Sequence, residues 1–128
     1  MTRSVVGDKS FVFAVRIVNL YRYLCDGKRE FVLSKQLLRS GTSIGANIRE
    51  ALQAQSKRDF LSKINIALKE ANETAYWIEL LYATKFISNK QKDSILSDCN
   101  EIISILVTIV KTTKRNLEEK GNEKTLST

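Results

Sequence analysis

The chain has 128 residues with no proline, no histidine and only 5 glycines. Its length is typical of one domain, and the lack of proline favours long helices over a turn-rich β-sandwich. Without histidine, Ser-His-Asp and Cys-His catalytic arrangements and His-ligated metal sites are excluded. The net charge of +7 favours an anionic partner, nucleic acid before a membrane surface. The alternative is that this charge only keeps the protein soluble.

The basic excess lies in the first half of the chain. Residues 1–58 contain 11 basic and 4 acidic side chains, whereas residues 59–128 contain 10 of each. The two cysteines, Cys25 and Cys99, form no Cys-x-x-Cys motif, which indicates a reducing compartment. Neither a signal peptide nor an apolar stretch near the ~20 residues of a membrane span is present, so we expect a cytoplasmic protein.

The first predicted helix covers residues 9–26 and ends at Gly27, which we expect to be a left-handed cap. Between Phe11 and Cys25 it is apolar on nearly every side. A helix of this kind is buried on more than one side, which indicates self-association. The alternative is a helix at the centre of a small irregular bundle.

The second predicted helix covers residues 34–54, with Ser34 as its N-cap. Gly41 and Gly45 each cost about 1 kcal/mol in a helix interior, so a loop over residues 40–45 is an alternative. We favour one helix because the apolar spacing continues through both glycines, whose small size would let a neighbouring helix approach closely.

The third and fourth predicted helices cover residues 57–87 and 90–117, and residues 118–128 are predicted to be a frayed polar tail. Ser56 and Asp59 form an approximate capping box at the start of the third helix. Its apolar stripe is Phe60, Ile64, Ala67, Ala71, Thr74, Ile78 and Leu81, a helical spacing. The sequence therefore predicts one all-α domain of four helices over residues 1–117.

Basic residues follow one line of the second helix and flank both its ends. Such a line can contact successive phosphates, although a basic line is also typical of a solvated helix face. The predicted nucleic-acid-binding residues are Lys35, Arg39 and Arg49, with Lys28, Arg29, Lys57 and Arg58 at the two ends.

A neighbouring line of the same helix contains Ser43, Asn47 and Glu50. No general base and no Gly-x-Ser-x-Gly motif accompanies the serine, so we interpret the line as a ladder of hydrogen bonds between helices. The glutamates of the third helix lack the histidines of di-metal bundles. We therefore predict no catalytic residue, no metal and no cofactor.

Several aromatic side chains allow two interpretations. Tyr21, Tyr23, Tyr76, Trp77 and Tyr82 could stack on unpaired bases, but we favour a role in the core or at a subunit interface. The predicted oligomer interface consists of Phe13, Ile17, Leu20 and Trp77.

Two blocks of residues carry a family resemblance that extends over about residues 11–110. The first block is Gln36, Leu37, Arg39, Ser43, Ile44, Asn47, Ile48 and Glu50, and the second is Phe60, Lys63, Ile66, Ala67, Glu70, Ala71, Glu73, Thr74, Tyr76 and Trp77. Together they resemble the "four helix bundle" proteins encoded in intervening sequences of bacterial 23S rRNA genes.

The resemblance implies an antiparallel up-down four-helix bundle that assembles into a cyclic homo-oligomer, typically a pentamer. Similar accessory proteins of diversity-generating retroelements bind nucleic acid and a reverse transcriptase. The expected function is therefore non-enzymatic, ring-forming binding of nucleic acid, RNA more than DNA, with no membrane partner. The alternative function is a homo-oligomeric scaffold that docks a partner protein such as a reverse transcriptase. A third possible function, that of an enzyme, is not expected.

Overall fold

The computed structural model describes residues 4–126, and the side chains of residues 4–121. Across these residues the chain forms four helices and no strand: α1 (Val5–Asp26), α2 (Leu33–Leu52), α3 (Lys57–Ala83) and α4 (Asn89–Leu126). Each helix packs on the one before it, and α1 also packs on α4. The ion pairs Lys63–Glu50 and Arg16–Asp98 join antiparallel neighbours. The predicted all-α fold is thus confirmed as a four-helix bundle.

The core lies along the bundle axis and takes side chains from all four helices. The predicted stripe of α3 is buried from Ile64 to Leu81, with Phe60 partly buried at its start. The fully buried large side chains are Phe13, Ile17, Leu24, Leu37, Ile44, Ile48, Ile64, Thr74, Ile78, Leu81, Ile102 and Leu106. No helix of the described residues is long and apolar enough to cross a membrane.

Helix α2 is continuous through Gly41 and Gly45, so the prediction of one helix is correct. A Cβ at Gly41 would lie only 2.8 Å from both Cγ atoms of Ile17 on α1. The predicted close approach of a neighbouring helix therefore occurs at this glycine.

The N-cap of α2 differs from the prediction. Ser56 caps α3 as expected, since its hydroxyl accepts the N–H of Asp59 at 3.0 Å, but Ser34 does not cap α2. Instead the carboxylate of Glu30 accepts the N–H groups of Val32, Leu33 and Ser34 at 3.1, 2.8 and 2.7 Å. The longer glutamate side chain reaches over the first turn of the helix from outside it.

The helix ends also differ from the prediction. Gly27 has a φ of −90°, so it is not a left-handed cap. Within residues 4–126 the residues with positive φ are Arg29 (54°) and Lys85 (69°). Helix α3 ends at Ala83 rather than residue 87 because the chain turns at Lys85, whose N–H donates to the Tyr82 carbonyl.

The first and last helices are longer than expected. Helix α1 begins at Val5, where the Ser4 hydroxyl accepts the N–H of Gly7. Helix α4 continues through the segment predicted as a frayed tail to Leu126. That segment contains good helix formers and no proline, and residues 127–128 lie outside the described residues.

Candidate nucleic-acid interface

Two of the predicted basic residues, Lys35 and Arg49, lie exposed on the outer side of α2. Neither forms an ion pair within the described residues. Thr42 and Ala46 lie between them on the same helical line, and we call these four residues the α2 basic strip. Its two cations are exposed to solvent.

Arg39 is engaged in an ion-pair network instead. Its guanidinium, whose side chain is 49% exposed, donates to Glu70 at 3.2 Å and to Glu73, both on α3. Hydrogen bonding to Glu73 is the main reason that the pKa of Arg39 is raised. The indole N–H of Trp77 donates to the same Glu73 carboxylate at 3.0 Å and is the main cause of its lowered pKa. Arg39 therefore joins α2 to α3.

The flanking cations lie at opposite ends of the bundle. Lys28 and Arg29 belong to the turn before α2, and Lys57 and Arg58 begin α3. Because α2 has 20 residues, these two pairs are separated by roughly 30 Å at about 1.5 Å per residue. The predicted residues therefore form an extended track rather than one compact patch.

The sequence prediction missed Lys69, which joins Arg58 in lining a shallow groove of about 520 Å³ beside Leu117. Residues 59–128 have as many acidic as basic side chains, so the net charge gave no signal for cations of this region. The i,i+4 spacing of Lys69 and Glu73 in the sequence is typical of an ion pair within a helix, so it gives no signal for a binding site either.

Of the predicted ladder of Ser43, Asn47 and Glu50, two residues form hydrogen bonds within α2 and one joins α2 to α3. The Ser43 hydroxyl donates to the Arg39 carbonyl at 2.6 Å, and the Asn47 amide donates to the Ser43 carbonyl at 2.8 Å, both within α2. Only Glu50 reaches another helix, through Lys63 at 3.1 Å. Hydroxyl and amide groups in a helix readily form hydrogen bonds to the backbone carbonyl one turn earlier. Ser43 and Asn47 form these bonds within α2 instead of the predicted bonds to another helix.

The predicted oligomer interface is wrong for two of its four residues. Phe13 and Ile17 are buried in the core of the single chain, whereas Leu20 and Trp77 are half-buried. The apolar surface of α1 is formed instead by Phe11, Val12 and Val15, which are 60%, 60% and 47% exposed. Helix α1 is thus apolar on two sides, as predicted, but the inner side was mistaken for the outer one.

This apolar surface lies beside the α2 basic strip. A groove of about 930 Å³ runs between α1 and α2, lined by Phe11, Ala14 and Leu52 together with Thr42 and Arg49. Apolar and cationic groups therefore share one face of the bundle.

The described residues contain no group of three or more His, Cys, Asp or Glu side chains that could hold a metal ion. Burial raises the pKa of Cys99 to about 12, and its thiol lies 3.4 Å from the Ala71 carbonyl. A thiol with so high a pKa stays protonated at neutral pH and is a poor nucleophile.

These features define a small four-helix bundle protein with an extended basic track. The chain belongs to the 23S rRNA-intervening sequence protein family, whose model matches residues 3–108, and the resemblance is confirmed. A crystal structure of a Bacteroides thetaiotaomicron protein of unknown function, from the S23 ribosomal protein family, has a TM-score of 0.83 to this chain. The two are 64% identical over 84% of this chain and 99% of that one. No curated protein matches the chain.

Proposed function

We propose that the protein is a non-enzymatic, cytoplasmic nucleic-acid-binding bundle that assembles into a ring-shaped homo-oligomer. The observation that carries the proposal is the pair of exposed cations of the α2 basic strip, Lys35 and Arg49, which form no ion pair within the described residues. Both lie in the half of the chain that holds the charge excess. RNA is favoured over DNA because the family is named for sequences within 23S rRNA. Phosphate contacts of this kind carry little base information, so we expect little sequence preference.

Assembly strengthens the proposed binding. One subunit offers only a few phosphate contacts, whereas a ring repeats the α2 basic strip around one axis and gains avidity without new chemistry. The exposed side chains of Phe11, Val12 and Val15 provide apolar surface of the kind that protein interfaces cover. The family resemblance favours five subunits.

The first prediction tests the strip. The double variant Lys35→Glu/Arg49→Glu should bind RNA about tenfold more weakly at low salt, because two phosphate contacts become repulsive. Fluorescence anisotropy against salt measures this, and for single strands the slope falls by about 0.7 per lost contact. Arg39 stays unchanged because it joins α2 to α3.

The matched control is Lys111→Glu/Lys114→Glu, which changes the net charge equally at exposed positions of α4. Circular dichroism checks that both variants keep their helix content. An equal loss of affinity in both variants would assign the binding to net charge alone and contradict the role of the strip.

The second prediction concerns assembly. Light scattering on a sizing column should give the wild type a mass several times the 14.6 kDa of one chain, five times in the favoured case. Phe11→Glu/Val15→Glu should reduce this mass while keeping the helix content, because both residues lie outside the core. A wild type that is monomeric at micromolar concentration would contradict the ring.

The second candidate function is a scaffold that docks a partner protein such as a reverse transcriptase. The exposed apolar side chains of α1, with Phe11 and Val12 each 60% exposed, favour it. A wild type that binds no nucleic acid even at low salt would make this scaffold the leading function.

A further inference from the structure

Two turns at one end of the bundle bring aromatic and basic side chains together. The α1–α2 turn (residues 27–32) and the α3–α4 turn (residues 84–88) lie on either side of a pocket of about 330 Å³. This end-turn pocket is lined by Tyr23, Lys28, Tyr82, Lys85, Phe86, Ile87, Ser88 and Gln91. Its volume is near the lower limit of the roughly 300–1,000 Å³ of small-ligand sites, which is a size suited to one base.

Residues 26–32 and 84–93, at this end of the bundle, contain five basic and three acidic side chains. Lys28 and Lys85 form no ion pair within the described residues. The Lys92 ammonium lies 4.5 Å from the centre of the Tyr82 ring and 3.2 Å from the Asp93 carboxylate. The nearby carboxylate of Glu30 is occupied by backbone N–H groups of α2. The end-turn pocket therefore presents positive charge next to aromatic rings.

The backbone of both turns is strained at a basic residue. Arg29 and Lys85, with φ of 54° and 69°, are the non-glycine residues with positive φ in the described chain. Glycine is the usual residue at such a position after a helix, because a side chain there is strained. Of the two, Lys85 lines the end-turn pocket, and strained residues of this kind cluster at functional sites.

The end-turn pocket continues into a longer groove. Tyr23 and Gln91 also line a groove of about 450 Å³ between α1 and α4, which passes Lys90 and reaches Arg16. A ligand longer than one nucleotide can therefore leave the pocket along the side of the bundle.

We propose that the end-turn pocket binds an unpaired segment of single-stranded RNA, with bases against Tyr23 and Tyr82 and phosphates at Lys28 and Lys85. Every base has a π-face, so aromatic side chains beside cations are typical of binding to single strands without sequence preference. The inference rests on the proposed binding of nucleic acid, and it adds the strandedness of the ligand and a second surface, which shares no lining residue with the α2 basic strip.

The test compares a labelled single strand of about 12 nucleotides with the same strand in a duplex. Tyr23→Leu/Tyr82→Leu should weaken binding of the single strand about tenfold and change duplex binding little, because only unpaired bases expose their faces. Tyr23→Phe/Tyr82→Phe keeps the aromatic rings and should retain binding. The matched control is Tyr76→Leu, at an exposed tyrosine on α3, which should leave both affinities unchanged.

A further variant separates binding from folding. Lys85→Gly removes the strained side chain and should raise the melting temperature by about 2–4 °C, yet it should weaken binding of the single strand. A higher melting temperature with unchanged affinity would assign Lys85 to the helix end alone and overturn its phosphate contact. This variant keeps the inference testable if the tyrosine variants fail to fold.

The outcomes distinguish this inference from the proposed function. A wild type that binds neither strand form at low salt overturns both. A wild type that binds RNA, with affinity unchanged in Tyr23→Leu/Tyr82→Leu, overturns the end-turn pocket and leaves the α2 basic strip. Uridine monophosphate should compete only weakly, and competition at the same concentration as the strand would identify a free-nucleotide site and overturn the inference.

Discussion

Replacing Gly41 by alanine is expected to destabilise the bundle by about 2 kcal/mol. The added Cβ would lie 2.8 Å from both Cγ atoms of Ile17, and Ile17 is fully buried, so it has no space into which to move. Overpacking costs about 1–3 kcal/mol, and two contacts at 2.8 Å with a fully buried side chain place this site at the upper end, at about 3 kcal/mol. The better helix propensity of alanine returns about 1 kcal/mol, which leaves a net loss of about 2 kcal/mol. In thermal unfolding the melting temperature should fall by about 8 °C.

The matched control is Gly45→Ala in the same helix. Its Cβ would meet the hydroxyl of Ser10 at 3.3 Å, and this buried hydroxyl, which donates to the Gly7 carbonyl, would have to shift slightly. That cost offsets most of the about 1 kcal/mol that alanine gains in helix propensity, so stability should change by less than about 0.5 kcal/mol. The double variant Ile17→Ala/Gly41→Ala should cost less than the sum of the two single changes, because it removes the clashing atoms. Equal stability of Gly41→Ala and Gly45→Ala would show that helix contact does not require glycine at position 41.

The sequence predicted the helices well and their ends poorly, for a physical reason. The stripe of α3 repeats over many turns, so the pattern identifies the buried side of the helix. A helix end depends on one or two contacts. Glu30 replaces Ser34 as the cap of α2, and Arg29 rather than Gly27 takes the left-handed conformation. Both differences arise because the backbone of the turn has to connect two helices whose positions are fixed by packing.

The sequence predicted those features of the site that depend on α2 alone, and it did not predict contacts between α2 and α3. Helical spacing placed Lys35 and Arg49 on one outer side of α2, and both are exposed. The ion pairs of Arg39 with Glu70 and Glu73 depend on how α2 and α3 are aligned. In this alignment the hydroxyl of Thr74 on α3 also donates to the hydroxyl of Ser40 on α2, at 2.9 Å in the core. No pattern within α2 contains this information.

Helix α1 shows the same limit in its apolar residues. The stripe with Phe13 and Ile17 and the stripe with Phe11 and Val15 both have helical spacing and similar hydrophobicity. Only the position of α2, which brings Gly41 against Ile17, determines which stripe faces the core. A sequence pattern can therefore show that a helix has two apolar sides without showing which is the inner one.

Replacing Glu30 by alanine is expected to destabilise the protein by about 2–3 kcal/mol. The residue is only 8% exposed, and its carboxylate accepts the N–H groups of Val32, Leu33 and Ser34. Loss of a helix cap costs about 0.5–2 kcal/mol, and the buried N–H of Ser34 adds about 1–3 kcal/mol when it is left unpaired. Glu30→Gln keeps an acceptor oxygen without the charge, so it should cost less in urea unfolding at about pH 7.

The stabilising effect of Glu30 should disappear in acid. Burial favours a higher pKa for the Glu30 carboxyl, but the hydrogen bonds from the α2 backbone outweigh it and hold the pKa below its ordinary 4.5. A carboxyl whose pKa is lowered by folding stabilises the protein above its unfolded pKa, and this contribution is lost as the pH falls through the folded pKa. The stability difference between wild type and Glu30→Gln should therefore be largest at about pH 7 and shrink below about pH 4. A difference that stays constant into strong acid would show that the charge of Glu30 takes no part in capping α2.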